Sequence, residues 1–253
     1  MIGASRSGTT SLFRALAAHP QVMRPAFRKG IYYFDLNYYR GQSWYRGHFP
    51  ISRTAQRKTA GYGEPMAFEA SGYYIYHPFA IERLARDLPA TKLVVMLRDP
   101  VQRAFSAYKH EYAGGFEQEE SFEKALELED DRLAGEIDRI RQDPRYESLS
   151  HRHHSYRHRG HYAEQLERVF GLFPRDQVYI VGSETYFGAP AQEYGRLLAF
   201  LGLSPFELAS FARPKAHPSS PMAPSTLQTL GEYYAPHDER LVKLLGRPLH
   251  WTR

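Results

Sequence analysis

Leu93-Val94-Val95-Met96-Leu97 is an unbroken apolar run rich in β-branched residues, and Arg98-Asp99-Pro100 stops it. A short run of this kind reads as a strand buried on both faces, as in parallel sheets. Gln177–Gly182 reads the same way. Helical patterns fill the gaps: Thr10 to about Ala18 (closed by His19-Pro20), Ala80–Leu88, a helix after Pro100, Ser121–Arg141, Gly160–Phe173, Pro190–Leu201, and Ser225–Leu245 with a break at Pro236. Strands alternating with helices predict an α/β chain, a three-layer fold with a central parallel β-sheet flanked by helices.

The 253 residues suit one domain, 1–253, within which 21–76 breaks the pattern. That stretch is rich in Tyr, Gly and Arg and weakly periodic, so it reads as a functional excursion over the ligand edge of the sheet. With 42% hydrophobic and 24% charged residues, general disorder is excluded. No apolar run is long enough to cross a bilayer and no signal peptide is read at Met1, so no membrane association is expected. The chain has no cysteine, which excludes disulfides, thiolate zinc sites and cysteine nucleophiles and fits a cytoplasmic location. A net charge of +5 favours anionic ligands. No nucleic-acid-binding signature is present, so nucleic acid is not expected as a partner.

Gly3-Ala4-Ser5-Arg6-Ser7-Gly8-Thr9-Thr10-Ser11-Leu12 carries the strongest chemical signal. Two glycines five apart let the backbone curl in front of a helix whose free N–H groups and dipole favour a phosphate. Hydroxyls at Ser7, Thr9, Thr10 and Ser11 add donors, and Arg6 adds a permanent cation. The spacing is that of a nucleotide P-loop, except that Thr9 stands where the loop lysine would be. Only Met1 and Ile2 precede the turn, so the strand it needs is very short or the chain is trimmed.

A second anchor follows the apolar strand. Ligands of open α/β sheets bind at the carboxyl ends of strands. A metal-dependent phosphotransferase places an acid there, whereas Arg98 is cationic and suits a second phosphate. Ser106 lies eight residues on, about two helical turns away.

These anchors resemble the sulfotransferases that use 3′-phosphoadenosine 5′-phosphosulfate (PAPS), with their G-x-x-[KR]-[ST]-G-[ST]-[ST] loop and strand-end Arg followed by Ser. The resemblance extends to the carbohydrate branch, which includes the heparan sulfate enzymes and bacterial relatives. It runs through Lys29-Gly30-Ile31-Tyr32-Tyr33-Phe34-Asp35, Gly41-Gln42-Ser43-Trp44-Tyr45, Phe68-Glu69-Ala70-Ser71-Gly72-Tyr73-Tyr74, Arg213-Pro214-Lys215-Ala216-His217-Pro218 and Leu245-Gly246-Arg247-Pro248-Leu249-His250-Trp251. The resemblance implies a P-loop-like fold and PAPS as co-substrate, released as adenosine 3′,5′-bisphosphate, with no metal required. It implies that Ser5, Arg6, Ser7, Gly8, Thr9, Thr10 and Ser11 take the 5′-phosphosulfate and that Arg98 and Ser106 take the 3′-phosphate. Arg213, Lys215 and His217 then lie in a cofactor-covering loop over 204–224. The acceptor would be a glycan or small molecule; the alternatives are a small-molecule P-loop kinase, disfavoured by Thr9 and Arg98, and a non-catalytic polyanion binder that has lost its base at Gly30.

The acceptor side departs from the branch. Gly30 stands where the heparan-modifying enzymes carry their glutamate base, which suggests a site widened for a bulkier acceptor. Tyr32 replaces a histidine. The candidate bases are then Glu69, desolvated by Tyr73 and Tyr74, and second Asp35. A structural bond from Glu69 to a loop N–H is the alternative. Arg6 can stabilise charge on the leaving phosphate but cannot donate a proton, because its pKa exceeds about 12. The basic run His151–His161 is expected to be solvated or to face an anion, and the rings of Tyr32, Tyr33, Tyr38, Tyr39, Trp44 and Tyr45 either pack the excursion down or carry an acceptor.

Overall fold

The computed structural model describes residues 1–26, 28–212 and 221–251. In chain order the helices are α1 (Thr9–Ala17), α2 (Gly41–Arg46), α3 (Ser52–Lys58), α4 (Ala80–Asp87), α5 (Pro100–Ala113), α6 (Phe122–Glu127), α7 (Glu129–Leu133), α8 (Glu136–Gln142), α9 (Leu149–His153), α10 (Tyr162–Phe170), α11 (Ser183–Gly188), α12 (Pro190–Leu201) and α13 (Pro224–Leu245). The strands are β1 (Val22–Met23), β2 (Met66–Ala67), β3 (Leu93–Leu97) and β4 (Val178–Gly182). The chain forms two units, one of Met1–Leu97 with Leu172–Ala216 and one of Arg98–Gly171 with His217–Arg253.

In the first unit β3 pairs in parallel with β4, from Leu93 opposite Val178 to Leu97 opposite Gly182. On its other side the first residues lie parallel to β3. Ile2 N–H donates to Val94 O at 3.0 Å, Ala4 N–H donates to Met96 O at 2.8 Å, and Met96 N–H donates back to Gly3 O at 2.8 Å. All five residues of β3 are buried, so both faces of the sheet are covered, as its apolar run requires. Val94 and Met96 share one face with Val181 and pack against Leu12, Phe13 and Leu16 of α1 and Leu197, Leu198 and Leu201 of α12. Pairing of Ile2–Ala4 with β3 places the loop that follows at the end of β3.

The second unit differs from expectation in two places. The pattern over Ser121–Arg141 predicts one long helix, but three short ones form, with Gly135 left-handed at φ 74° between α7 and α8. Glu129 and Glu136 are buried on the face that also carries Phe122 and Ala125, and the Glu129 carboxylate accepts from Arg157 N–H at 2.7 Å and His158 N–H at 3.0 Å. Conversely, α13 continues through Pro236, which removes one backbone hydrogen bond at a cost of about 3 kcal/mol. Burial of Leu230, Tyr234 and Leu241 along the same helix offsets that cost.

Candidate functional site

The loop between the residues paired with β3 and α1 is left-handed at two points, Arg6 (φ 70°) and Gly8 (φ 91°). At Gly8 a Cβ would lie 2.7 Å from the Phe187 ring, so glycine is required both by the backbone and by the close approach of α11. Gly8 is also the N-cap of α1, and no side chain caps the helix. Its first N–H groups point into the curl, the arrangement that receives an anion. Ser7 is fully buried, and its Oγ has no hydrogen-bond partner among the described residues. A buried hydroxyl without a partner costs stability unless a ligand supplies one. Ser5, Arg6 and Gly8 are half-buried, Thr9 and Ser11 are buried, and Thr10 is exposed. These features fit a phosphate or phosphosulfate group.

Lys29, to which the sequence assigns no role beyond its motif, stands over this loop. Its Nζ donates to Thr9 Oγ1 at 2.9 Å and to Thr10 Oγ1 at 3.3 Å, and lies 5.9 Å from the centre of the Phe13 ring. Burial, and then the Arg6 charge, lower its pKa to about 8. The signal that could have found it is the lysine missing at Thr9.

The segment carrying Lys29 is clamped against residues 69–74. Ala70 N–H donates to Lys29 O at 3.1 Å. Ile31 N–H donates to Glu69 Oε2 at 2.9 Å, Tyr32 N–H to Ser71 Oγ at 3.3 Å, and Tyr33 N–H to Tyr74 Oη at 2.9 Å. Ser71 Oγ donates to Glu69 Oε2 at 3.1 Å. Burial raises the Glu69 pKa, and the Ile31 N–H partly opposes the rise. Asp35 is buried, and its Oδ1 accepts from Leu36 N–H at 2.7 Å.

The widened acceptor pocket expected from Gly30 is not there. A Cβ on Gly30 would meet the Ala70 carbonyl oxygen and Ser71 Oγ, both at 2.8 Å. The missing side chain has been replaced by backbone from the facing segment, so a glutamate cannot be restored without moving it. The aromatic excursion packs down in part: Tyr33 and Phe34 are buried, and Tyr33 stacks on Tyr45 at 4.9 Å. Trp44 and Tyr45 are half-buried.

In the second unit, Arg98 and Ser106 are half-buried, Ser106 on α5 and Arg98 just before Asp99, which caps that helix through Val101 N–H at 3.0 Å. Arg98 O accepts from Tyr162 Oη at 3.0 Å. Arg213, Lys215 and His217 lie outside the described residues. The basic run is neither simply solvated nor poised for an anion. His153 pairs with Glu111 at 2.7 Å, Arg157 with Asp130 at 2.9 Å and His158 with Asp130 at 3.0 Å. Acids distant in sequence pair with part of it.

Among the described residues, His161, Glu164 and His237 bring potential metal-binding atoms within 4.8 Å of one another. The two rings stack at 3.9 Å and 8°, so their in-plane lone pairs run side by side and do not converge on one ion. Burial, then the neighbouring His237, lowers the His161 pKa to about 3. The unfolded chain takes up this proton below about pH 6.5, while the folded one resists until about 3, so stability falls as pH drops through that window. The urea midpoint should decline from pH 7 to pH 4, and His161→Phe should flatten the decline.

The model of the family described as Sulfotransferase domain matches residues 1–225. The chain belongs to this sulfotransferase family. A crystal structure of a sulfotransferase from Alicyclobacillus acidocaldarius is similar over 98% of this chain and 95% of that one, with a TM-score of 0.69 and 31% identity. The membrane-associated sulfotransferase kil1 of Dictyostelium discoideum is 26% identical over 99% of this chain, which spans 65% of that protein. The heparan sulfate glucosamine 3-O-sulfotransferase 5 of Mus musculus is 24% identical over 99% of this chain and 72% of its own length. The α/β fold with parallel strands is that of a sulfotransferase. Among the described residues, no helix is long and apolar enough to cross a membrane.

Proposed function

We propose that this chain moves a sulfuryl group from PAPS to a hydroxyl of a carbohydrate or small-molecule acceptor, both units serving one sulfotransferase domain. The observation that carries the reading is the uncapped, left-handed loop with its buried, partnerless Ser7 hydroxyl. Family membership supports the reaction class, and the relative named for heparan sulfate glucosamine supports a glycan hydroxyl.

In this reading the S–O bond to the 5′-phosphate breaks and its electron pair stays on the phosphate oxygen. The acceptor oxygen bonds to sulfur and loses its proton to a base. Arg6 and the α1 N–H groups stabilise the charge that grows on the phosphate. Glu69 is the proposed base, because burial moves its pKa toward the useful range, and Asp35 positions the acceptor. Arg98 and Ser106 bind the 3′-phosphate. A sulfuryl group carries less charge than a phosphoryl group, so protein cations suffice without a metal. The absence of cysteine suits the cytoplasm.

Adenosine 3′,5′-bisphosphate should raise the melting temperature, with a gain of about 2.7 kcal/mol at 100 times Kd. Arg98→Ala should erase the preference for this ligand over adenosine 5′-phosphate. Equal discrimination by mutant and wild type would overturn the assignment of Arg98.

A further inference from the structure

The loop of this protein has the shape of a nucleotide P-loop but lacks its lysine, since Thr9 occupies that place. The gap is filled from outside. Lys29, twenty residues on, lays its ammonium on the hydroxyls of Thr9 and Thr10, the first two residues of α1. We propose that Lys29 is a further catalytic residue, whose ammonium binds the 5′-phosphate of the donor and stabilises the charge left there as the sulfuryl group departs. The proposal rests on the reading of the chain as a PAPS-dependent sulfotransferase.

Three features support it. First, the position is built. The Lys29 carbonyl accepts from Ala70 N–H, and the residues after it are tied by Glu69, Ser71 and Tyr74, so the chain is held from the root of the side chain onward. Second, its ammonium lies 5.9 Å from the centre of the Phe13 ring, which itself stacks on Phe68 at 5.6 Å, so an aromatic face stands beside the charge at the loop. Third, its present partners are two neutral hydroxyls, while the neighbouring charge that acts on it most is Arg6, of like sign. Among the described residues, an ammonium flanked by a guanidinium and a helix N-terminus has no countercharge recorded at the loop, and an arriving dianion supplies one. The amino group of Met1 also lies within electrostatic reach of Lys29.

The arrangement divides the work between two cations. Arg6 is permanently charged. Lys29, with a pKa near 8, is charged at neutral pH and loses its proton just above it. A bound dianion raises that pKa, so binding above pH 8 takes up a proton.

Calorimetric titration with adenosine 3′,5′-bisphosphate at pH 7.5 and 9.5, in buffers of different ionisation enthalpy, tests this. The ligand's phosphates are already dianionic over this range. Wild type should bind more weakly at the higher pH and take up protons there. Lys29→Met, which keeps an unbranched side chain but no charge, should bind about 10–100-fold more weakly at pH 7.5, the loss of one charged hydrogen bond, and show no such pH dependence. Lys29→Arg should restore affinity and keep it flat with pH, a rescue that a purely structural role would not produce. Thermal unfolding of each variant shows whether it is folded. If Lys29→Met binds as wild type does, with the same pH dependence, Lys29 does not touch the phosphate and the proposal falls alone. If wild type itself binds no adenosine 3′,5′-bisphosphate, the donor reading falls with it.

Discussion

Arg6→Ala should lower kcat by about 10²–10³-fold, the range seen when one charge-stabilising donor is removed from a reaction centre. Affinity for adenosine 3′,5′-bisphosphate should fall less, because the charge Arg6 meets is larger in the transition state than in the bound donor. The backbone sharpens the interpretation. Arg6 sits at φ 70°, where any side chain with a Cβ pays about 1–2 kcal/mol. Arg6→Gly removes both the cation and that strain, so it should be at least as stable as the alanine variant yet equally slow. Release of adenosine 3′,5′-bisphosphate from PAPS across a panel of hydroxyl acceptors gives the rates. A variant with unchanged kcat and only a raised KM would make Arg6 a binding residue.

Glu69→Gln should cut turnover by about 10²–10⁴-fold while leaving affinity for adenosine 3′,5′-bisphosphate near that of wild type. The amide keeps the size of the carboxylate, and its carbonyl oxygen can still accept from Ile31 N–H and Ser71 Oγ, so the clamp on the Lys29 segment survives. Glu69→Ala should be slower still and also less stable, because it leaves the buried Ile31 N–H without that acceptor. The pair separates proton removal from positioning. Asp35→Asn is the parallel measurement for the acceptor side. Full turnover in both Glu69→Gln and Asp35→Asn would mean that neither carboxylate is the base.

The parts of this molecule legible in sequence are those set by local pattern. β3 announces itself by five apolar residues, and the helix starts at Thr9, Pro100 and Pro190 follow from a glycine turn and two prolines. The donor loop is legible for the same reason, since its geometry depends on glycine spacing within one turn. What is not legible depends on residues far apart in sequence. Gly30 looks like an opened pocket until the Ala70 carbonyl is seen filling it. The basic run looks like an anion site until Glu111, Glu129 and Asp130 arrive from other helices. Pro236 looks like a helix stop until Tyr234 and Leu241 are seen buried on either side of it. Lys29 is visible in sequence only as a motif residue, because its partners at Thr9 and Thr10 are brought to it by tertiary structure.

The pairing of β3 with β4 has a consequence for how the chain is made. Leu93 finds Val178 only after the whole of Arg98–Gly171, most of the second unit, has been synthesised. At about 5–20 residues per second, a nascent β3 waits roughly 4–17 s for its neighbour. Throughout that wait its five apolar residues have one hydrogen-bonding edge unfilled, the condition in which strands pair wrongly with other chains. Expression yield should therefore respond to chaperone supply and to growth temperature more than the equilibrium stability of the finished protein would suggest, and a chain cut before Val178 should aggregate rather than fold.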